Sequence, residues 1–339
     1  MAAAAPTELR VRLAPELSLA AITYGDPTSL PVVSLHGWMD NAASFAVVGP
    51  ALARLGLYAV CLELPGHGQS DHRPPSCHYV VQEYAANVCE ALTALGFPRF
   101  ALCGHSLGAG LAPIVAAAEP RRCVGVVLLE GLGPSTRPPS EAPELFARAV
   151  AAKAHAQSRA GGGSSYATVA DAVAQRLATV ARYGGGQTLS AAGAELLVRR
   201  ALVQDTAAAG GAWRFRHDRR IAGPYIVYWH EDHVLAILRA IRCPVLVVSA
   251  TAGWPRDAGA YAARLEVLRA AACSVTHVTL PGGHHLHLDP DTAPAVCDAL
   301  AAWVRGSLLP HAQQQQQQQH AQQGKEGPSE GGGPGGSPS

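Results

Sequence analysis

Charge is scarce in this chain: 15% of its 339 residues are Asp, Glu, Lys or Arg, and the formal net charge is +1. That balance offers no basic footprint for nucleic acid. No apolar run reaches the ~18 residues that a membrane-spanning helix needs, so no transmembrane segment is expected. The eight cysteines, at 61, 77, 89, 103, 123, 243, 273 and 297, form no C-x-x-C pair and sit mostly in apolar runs. Such usage implies reduced, buried thiols in an intracellular, cytoplasmic protein. Met1-Ala-Ala-Ala-Ala-Pro6 is too short for a signal peptide, because strand-like sequence starts by Glu8. Histidines crowd at 284, 285 and 287, but neither an E-x-x-H helix nor a spaced carboxylate set accompanies them. A zinc site is therefore not expected, and no cofactor is implied. Apolar side chains are nearly missing after His311, where Gln313 to Gln319 leads into the Gly-, Pro- and Ser-rich stretch Gly324 to Ser339. Sequence of that kind cannot offset the entropy of ordering, so residues 310–339 read as a disordered tail.

What is present centres on Phe100-Ala-Leu-Cys-Gly-His-Ser-Leu-Gly-Ala-Gly110. Strand-like residues Phe100 to Cys103 run into Gly104-His-Ser-Leu-Gly108, a G-x-S-x-G match, and Leu111 to Ala118 continues as an alanine-rich helix. A serine hydroxyl is a poor nucleophile unless it stands exposed beside a base and near donors that hold an oxyanion. A sharp turn between a buried strand and a helix lifts Oγ above the sheet edge, with free N–H groups at the helix start. Alone, the pentapeptide could be a glycine-rich turn with a surface serine; the flanking strand and helix favour Ser106 as a nucleophile.

The rest of the chain supplies a frame. Glu8 to Leu13 and Leu17 to Tyr24 predict an antiparallel edge, with Gly25-Asp26-Pro27 as their turn. Apolar strands are expected at Leu30–Leu35, Leu57–Glu63, Phe100–Cys103, Val124–Leu129, Cys243–Ser249 and Ser274–Leu280, with helices between them and a closing helix from Pro294 to Leu308. This alternation predicts an α/β fold, a mostly parallel sheet with helices on both faces, whose functional groups collect beyond the strands' carboxyl ends. Between Leu132 and His233 the pattern changes to helical stretches (Glu144–Ser158, Thr168–Arg182, Ala191–Ala201) separated by glycine clusters. The expected organisation is a core at 1–131 and 234–309, interrupted by a helical cap at 132–233. A cap over the strand ends would exclude water and shape a pocket.

His36-Gly37-Trp38, Leu64-Pro-Gly-His-Gly-Gln-Ser70, Gly104-His-Ser-Leu-Gly108 and Gly282-Gly-His-His-Leu-His-Leu-Asp-Pro290 resemble the α/β-hydrolase fold motifs, in that family's order. His36-Gly-Trp-Met-Asp-Asn-Ala-Ala-Ser-Phe45, Gly283 to Leu288 and Arg216-His-Asp-Arg-Arg220 resemble, more narrowly, the serine hydrolase-like proteins. The resemblance implies that the histidine after Gly282-Gly283, His284, is the base, and leaves His285 and His287 as loop and helix-start residues near the entrance. The turn geometry assigns the oxyanion donors to the backbone N–H groups of Leu107 and Trp38. His36, Gly37 and His105 are expected to line the substrate pocket.

The third group stays open. The family's commonest position, a few residues past Ser249, reads Ala250-Thr-Ala-Gly-Trp-Pro-Arg-Asp257, with Gly253 where an aspartate would fall. Asp257 is one alternative, although it could equally cap the helix that follows. Glu130, at the carboxyl end of the strand after the serine unit, is the other and the preferred one; it resembles the acid of some haloalkane dehalogenases, though it could equally form a hinge salt bridge. The function implied is a serine hydrolase acting on a small-molecule ester or other acyl bond through an acyl-enzyme. Serine at 106 argues against haloalkane dehalogenase and epoxide hydrolase chemistry, which need aspartate there. A cofactor-free haloperoxidase, a carbon–carbon bond hydrolase and a non-catalytic ligand-binding protein remain alternatives.

Overall fold

The computed structural model describes residues 5–14, 16–158, 164–182, 187–205, 211–223 and 225–323. Its first half runs β1 (Thr7–Ala14), β2 (Leu17–Tyr24), β3 (Pro31–Leu35), α1 (Val48–Arg54), β4 (Tyr58–Leu62), α2 (Val81–Ala94), β5 (Phe100–His105), α3 (Leu107–Ala118) and β6 (Cys123–Leu129). An insertion follows, with α4 (Ala142–Ser158), β7 (Ser165–Tyr166), α5 (Val169–Val180), α6 (Ala191–Ala201), β8 (Leu202–Gln204) and β9 (Trp213–Phe215). The chain then returns through α7 (Glu231–Ala240), β10 (Val245–Ala252), α8 (Ala258–Ala271), β11 (Val275–Gly283), α9 (Ala293–Trp303) and α10 (Leu309–Gln323).

Eight strands form one sheet in the order β1-β2-β4-β3-β5-β6-β10-β11. β1, β2 and β4 pair antiparallel, and from β4 to β11 every pairing is parallel. The middle strands are apolar throughout because both faces are covered. In β6, Val126 and Leu128 join a core with Leu111 and Val115 of α3 and Leu238 of α7. Alternate residues Val127 and Leu129 face the other side, with Leu52 of α1 and Leu300 and Trp303 of α9. This period of two fixes register, since a one-residue slip would exchange the two cores.

Three expectations change. Gly25 (φ 91) follows β2, so it is not the turn of the first hairpin. The insertion is not purely helical: β7, β9 and β8 form a small antiparallel sheet. These strands are two or three residues long, too short for a periodic signal in sequence. Finally, residues 309–323 are helical rather than disordered, while 324–339, the rest of the expected tail, lie outside the described residues. A π-helical turn at Val304–Leu308 joins α9 to α10, so the closing helix continues into the glutamine run. Leu309 packs on the second core and Ala312 is buried in it, and the Ala312 carbonyl accepts from Arg99. Composition missed this because two apolar residues and one carbonyl suffice to dock a turn.

Truncation after Leu309 should therefore destabilise the protein by about 1–3 kcal/mol, since Arg99 loses a partner and part of the second core is uncovered. A thermal melt checks this; an unchanged Tm would show that the docked turn contributes nothing.

Candidate active site

Ser106 sits between β5 and α3 with φ 52 and ψ −109, a conformation that strains a residue with a side chain. The glycines on either side permit it. A Cβ on Gly104 would lie 2.2 Å from Gly108 O, and one on Gly108 would lie 1.9 Å from Leu35 O. The turn is fixed by Ser106 N–H donating to Leu129 O at 3.0 Å and Gly110 N–H to Ser106 O at 3.0 Å. Gly108 N–H donates to His36 O at 3.1 Å, which draws the loop after β3 onto the start of α3. Leu107 opens that helix, so its N–H belongs to the group that has no intrahelical acceptor. Gly37 allows the loop to pass closely, because a Cβ there would stand 2.9 Å from both Asp40 Oδ2 and His105 Nδ1. Trp38 follows, with its indole N–H donating to Ile221 O of the insertion at 2.7 Å.

The two open carboxylates separate cleanly. Glu130, at the end of β6, has φ 54, and its Oε2 accepts from His284 Nδ1 at 3.2 Å. The buried carboxylate also accepts from the N–H groups of Ala250 (2.6 Å) and Trp254 (2.9 Å) and from Arg256 Nη2 (3.1 Å). A Cβ on Gly253 would fall 2.3 Å from Glu130 Oε2, so the Glu130 carboxylate fills the space that a side chain at 253 would need. Asp257 does otherwise: it caps α8, accepting from Ala260 N–H at 2.7 Å at an exposed position. The structure thus brings Glu130 and His284 together and leaves Asp257 apart.

Burial would raise the Glu130 pKa, but His284, the two N–H groups and Arg256 outweigh it and bring it down to about 2. Burial pushes His284 down to about 4, helped by His105 and His285 and opposed by Glu130. At neutral pH the pair is a carboxylate holding a neutral imidazole, the form in which the imidazole can accept a proton at Nε2.

Three residues expected in the pocket wall are buried. His36 is fully enclosed, with Nε2 accepting from Leu64 N–H at 3.1 Å, so it shapes the loop instead. Gly37 is buried beside it. His105 is also fully enclosed, its Nε2 donating to His284 O at 2.9 Å and its Nδ1 lying 3.6 Å from Asp40 Oδ2. A strand residue just before the nucleophile points back into the protein as the serine points out. His285 and His287 do not line an entrance either: one stands 3.4 Å from Asp40 Oδ2, and the other bonds Ser44 Oγ at 2.9 Å. Among the described residues, no group of His, Cys, Asp and Glu has the geometry to hold a metal ion.

Sequence reasoning missed two supports. Asp40, inside the quoted His36-to-Phe45 motif, is buried and ion-paired with Arg176 of α5 at 2.5 Å. Burial would raise its pKa, but His285, Arg176 and His105 hold it well below the carboxylate range. Gln187, buried in the insertion, accepts from His284 N–H through Oε1 at 3.0 Å. Its Nε2 donates to the carbonyls of Gly253 (2.8 Å) and Ala252 (3.2 Å). One amide thereby ties the histidine loop to the loop that holds Glu130. A lone glutamine beside a glycine cluster gives no periodic or motif signal.

Gln187→Glu keeps an acceptor for His284 but turns an oxygen toward two carbonyls. Turnover should fall by about 10- to 100-fold at similar KM, and Tm should drop by a few degrees. Because a loosened His284 loop is better hydrated, the acid limb of the pH profile should move up toward 6.5; an unmoved limb would reduce Gln187 to packing.

The sequence model of the alpha/beta hydrolase fold family matches residues 31–291. A serine hydrolase-like protein of Dictyostelium discoideum is 27% identical over 298 residues, covering 84% of this chain and 79% of its own. One from Danio rerio is 29% identical over 280 residues, covering 80% and 82%. Among solved structures, the hypothetical protein PA1622 from Pseudomonas aeruginosa PAO1 superposes with TM-score 0.77 at 35% identity, over 88% of this chain and 99% of its own. A thioesterase domain from the curacin biosynthetic pathway shares the fold at 22% identity and TM-score 0.70, over 87% and 98%. With a strained serine between strand and helix, a buried histidine–carboxylate pair and a family match over most of its length, the chain belongs to the alpha/beta hydrolase fold family.

Proposed function

We propose that the protein is a serine hydrolase that cleaves an ester or other acyl bond of a small molecule through an acyl-enzyme. The observation that carries this is the 3.2 Å contact between His284 Nδ1 and Glu130 Oε2, joined to the Ser106 turn through His105 Nε2, which bonds His284 O at 2.9 Å, and through Ser106 N–H, which donates to Leu129 O at 3.0 Å. Ser106 Oγ attacks the acyl carbon while His284 Nε2 takes its proton. The N–H groups of Leu107 and Trp38 receive the oxyanion. The tetrahedral intermediate collapses, and the imidazolium returns the proton to the leaving alcohol. Water then repeats the sequence, attacking the acyl-enzyme as His284 takes its proton, and Ser106 recovers its hydrogen when the acid leaves. Glu130 stays ionised throughout, fixing the tautomer and stabilising the imidazolium.

Ser106→Ala should abolish both ester hydrolysis and labelling by a fluorophosphonate while the fold survives; labelling that persists would identify another nucleophile. Glu130→Gln should lower turnover by ~10³–10⁴, whereas Asp257→Asn should cost less than tenfold because asparagine also caps a helix. A reversed order would move the acid to Asp257.

The pH profile gives an independent check. With His284 at about 4 instead of its ordinary 6.5, kcat/KM should hold level as pH falls through 6 and reach half near pH 4. Stability changes with the same sign. Both folded-state values lie below the unfolded ones, so the unfolded chain takes up protons first as the solution is acidified. The contribution of His284 is complete above 6.5 and lost by about 4. That of Glu130 is lost between 4.5 and about 2. An acid limb at 6.5 would mean that burial does not depress the His284 imidazole in the working protein.

A further inference from the structure

The insertion lines an open cavity of about 1060 Å³ that reaches Met39 of the loop after β3. Five arginines line it, Arg176, Arg214, Arg216, Arg219 and Arg220. Only two carboxylates share that wall, Asp205 and Asp218. The chain as a whole has 26 Lys and Arg against 25 Asp and Glu, so this imbalance is local.

Arg176, Arg214 and Arg220 have carboxylate partners, and Arg216 has a backbone carbonyl. Asp218 is matched by Arg220 at 2.5 Å, and Arg176 by Asp40 behind the wall at 2.5 Å. Asp205 and Arg214 are 3.9 Å apart and about half exposed, a pair that solvent screens. Arg216 donates Nε to Leu202 O at 3.2 Å, and a carbonyl partner leaves its charge in place. A concave wall of one sign, backed by low-dielectric protein, concentrates its field on whatever enters. The remaining wall is mixed: His72, Gln175, Thr179 and His217 are polar, and Met39, Leu197 and Phe215 offer apolar surface. Met39 of this wall comes directly after Trp38, whose backbone N–H is the proposed oxyanion donor, so one end of the cavity lies one residue along the chain from that donor.

We propose that this cavity takes the anionic end of the substrate: the acyl bond belongs to an amphiphile with an apolar segment and a terminal carboxylate or phosphate. The apolar segment lies along Met39, Leu197 and Phe215, and the anion meets the guanidinium groups, whose planar forks match either oxyanion. The reacting end rests on the hydrolase reading above; the anion site does not.

Two measurements test it. First, 4-nitrophenyl esters of alkanoic acids with five to ten carbons are compared with the half-esters of the dicarboxylic acids of the same lengths. The charged member should have kcat/KM at least about tenfold higher at some length, the size of a charge-assisted hydrogen bond. That preference should shrink in 0.5 M NaCl and collapse in the Arg214→Gln/Arg216→Gln double variant, with recovery in Arg216→Lys on the Arg214→Gln background. A neutral ester favoured at every length overturns the proposal, provided that Ser106 still takes a fluorophosphonate. If Ser106 is not labelled and no ester is cleaved, the hydrolase reading fails instead, and the second measurement decides the cavity alone. Sebacate and decyl phosphate are titrated by calorimetry into the full chain carrying Ser106→Ala. Binding of either below about 1 mM, weakened at least tenfold in the double variant, supports an anion site, and the tighter of the two names its source. No binding of either at 10 mM overturns it.

Discussion

The Glu130 carboxylate is the constraint on which the site depends. It is fully buried as a side chain, and an ionised group removed from water is tolerable only when its lone pairs are filled. Four donors fill them: two N–H groups from β10 and the loop after it, one guanidinium, and the imidazole of His284. Each donor lies far along the chain, so the charge is stable only when β6, β10 and the loop after β11 have all assembled. His284 is therefore positioned by the completion of the fold.

Strain is held in the same way. Ser106 and Glu130 are both non-glycine residues at positive φ, and such residues cost of order 1–3 kcal/mol each. They stand at the carboxyl ends of neighbouring parallel strands, and the ladder continues beyond both. Ser106 N–H bonds Leu129 O at 3.0 Å, and Glu130 N–H bonds Val248 O at 2.9 Å. Strand ends normally fray; here one further rung on each keeps the backbone turned so that the two side chains leave the sheet on the functional side. Anchors from the insertion land on the same small region. Arg176 meets Asp40, Arg200 meets the buried Glu63 at 2.7 Å, Asn41 donates to Leu197 O, and Gln187 holds His284. A rigid opening of the insertion would break these ion pairs and the hydrogen bond to His284, so the insertion helps to fix the loop that carries His284.

The legible parts of the chain were those where backbone geometry restricts residue type. Gly104 and Gly108 announce a close approach that no Cβ permits, and the unbroken apolar runs of β5, β6 and β10 announce burial on both faces. His284 was legible through its motif. Sequence favoured Glu130 as the partner of that histidine but left Asp257 open, because the choice turns on the distance between strand ends. His36 and His105 were misplaced since a motif shows which residues recur together, not which way each one faces. The helix at 309–323 was missed because its docking depends on Arg99, more than two hundred residues earlier. Gln187 left no mark at all, since its role is set by three backbone groups and by nothing in its neighbours' identities.

Gly253 joins these observations. Counting from the strand, it stands where an aspartate would commonly be sought, and its missing side chain first looks like a lost catalytic group. In the structure, a Cβ there would lie 2.3, 2.5 and 2.6 Å from Oε2, Oε1 and Cδ of Glu130. The two positions thus compete for one volume, in front of one imidazole. A side chain at 253 would displace a carboxylate held by four donors, and that carboxylate has no slack to move aside. With glutamate on β6, position 253 must be glycine; with an acid at 253, position 130 could not keep its glutamate in this place. The absence at 253 is therefore the steric condition for the presence at 130.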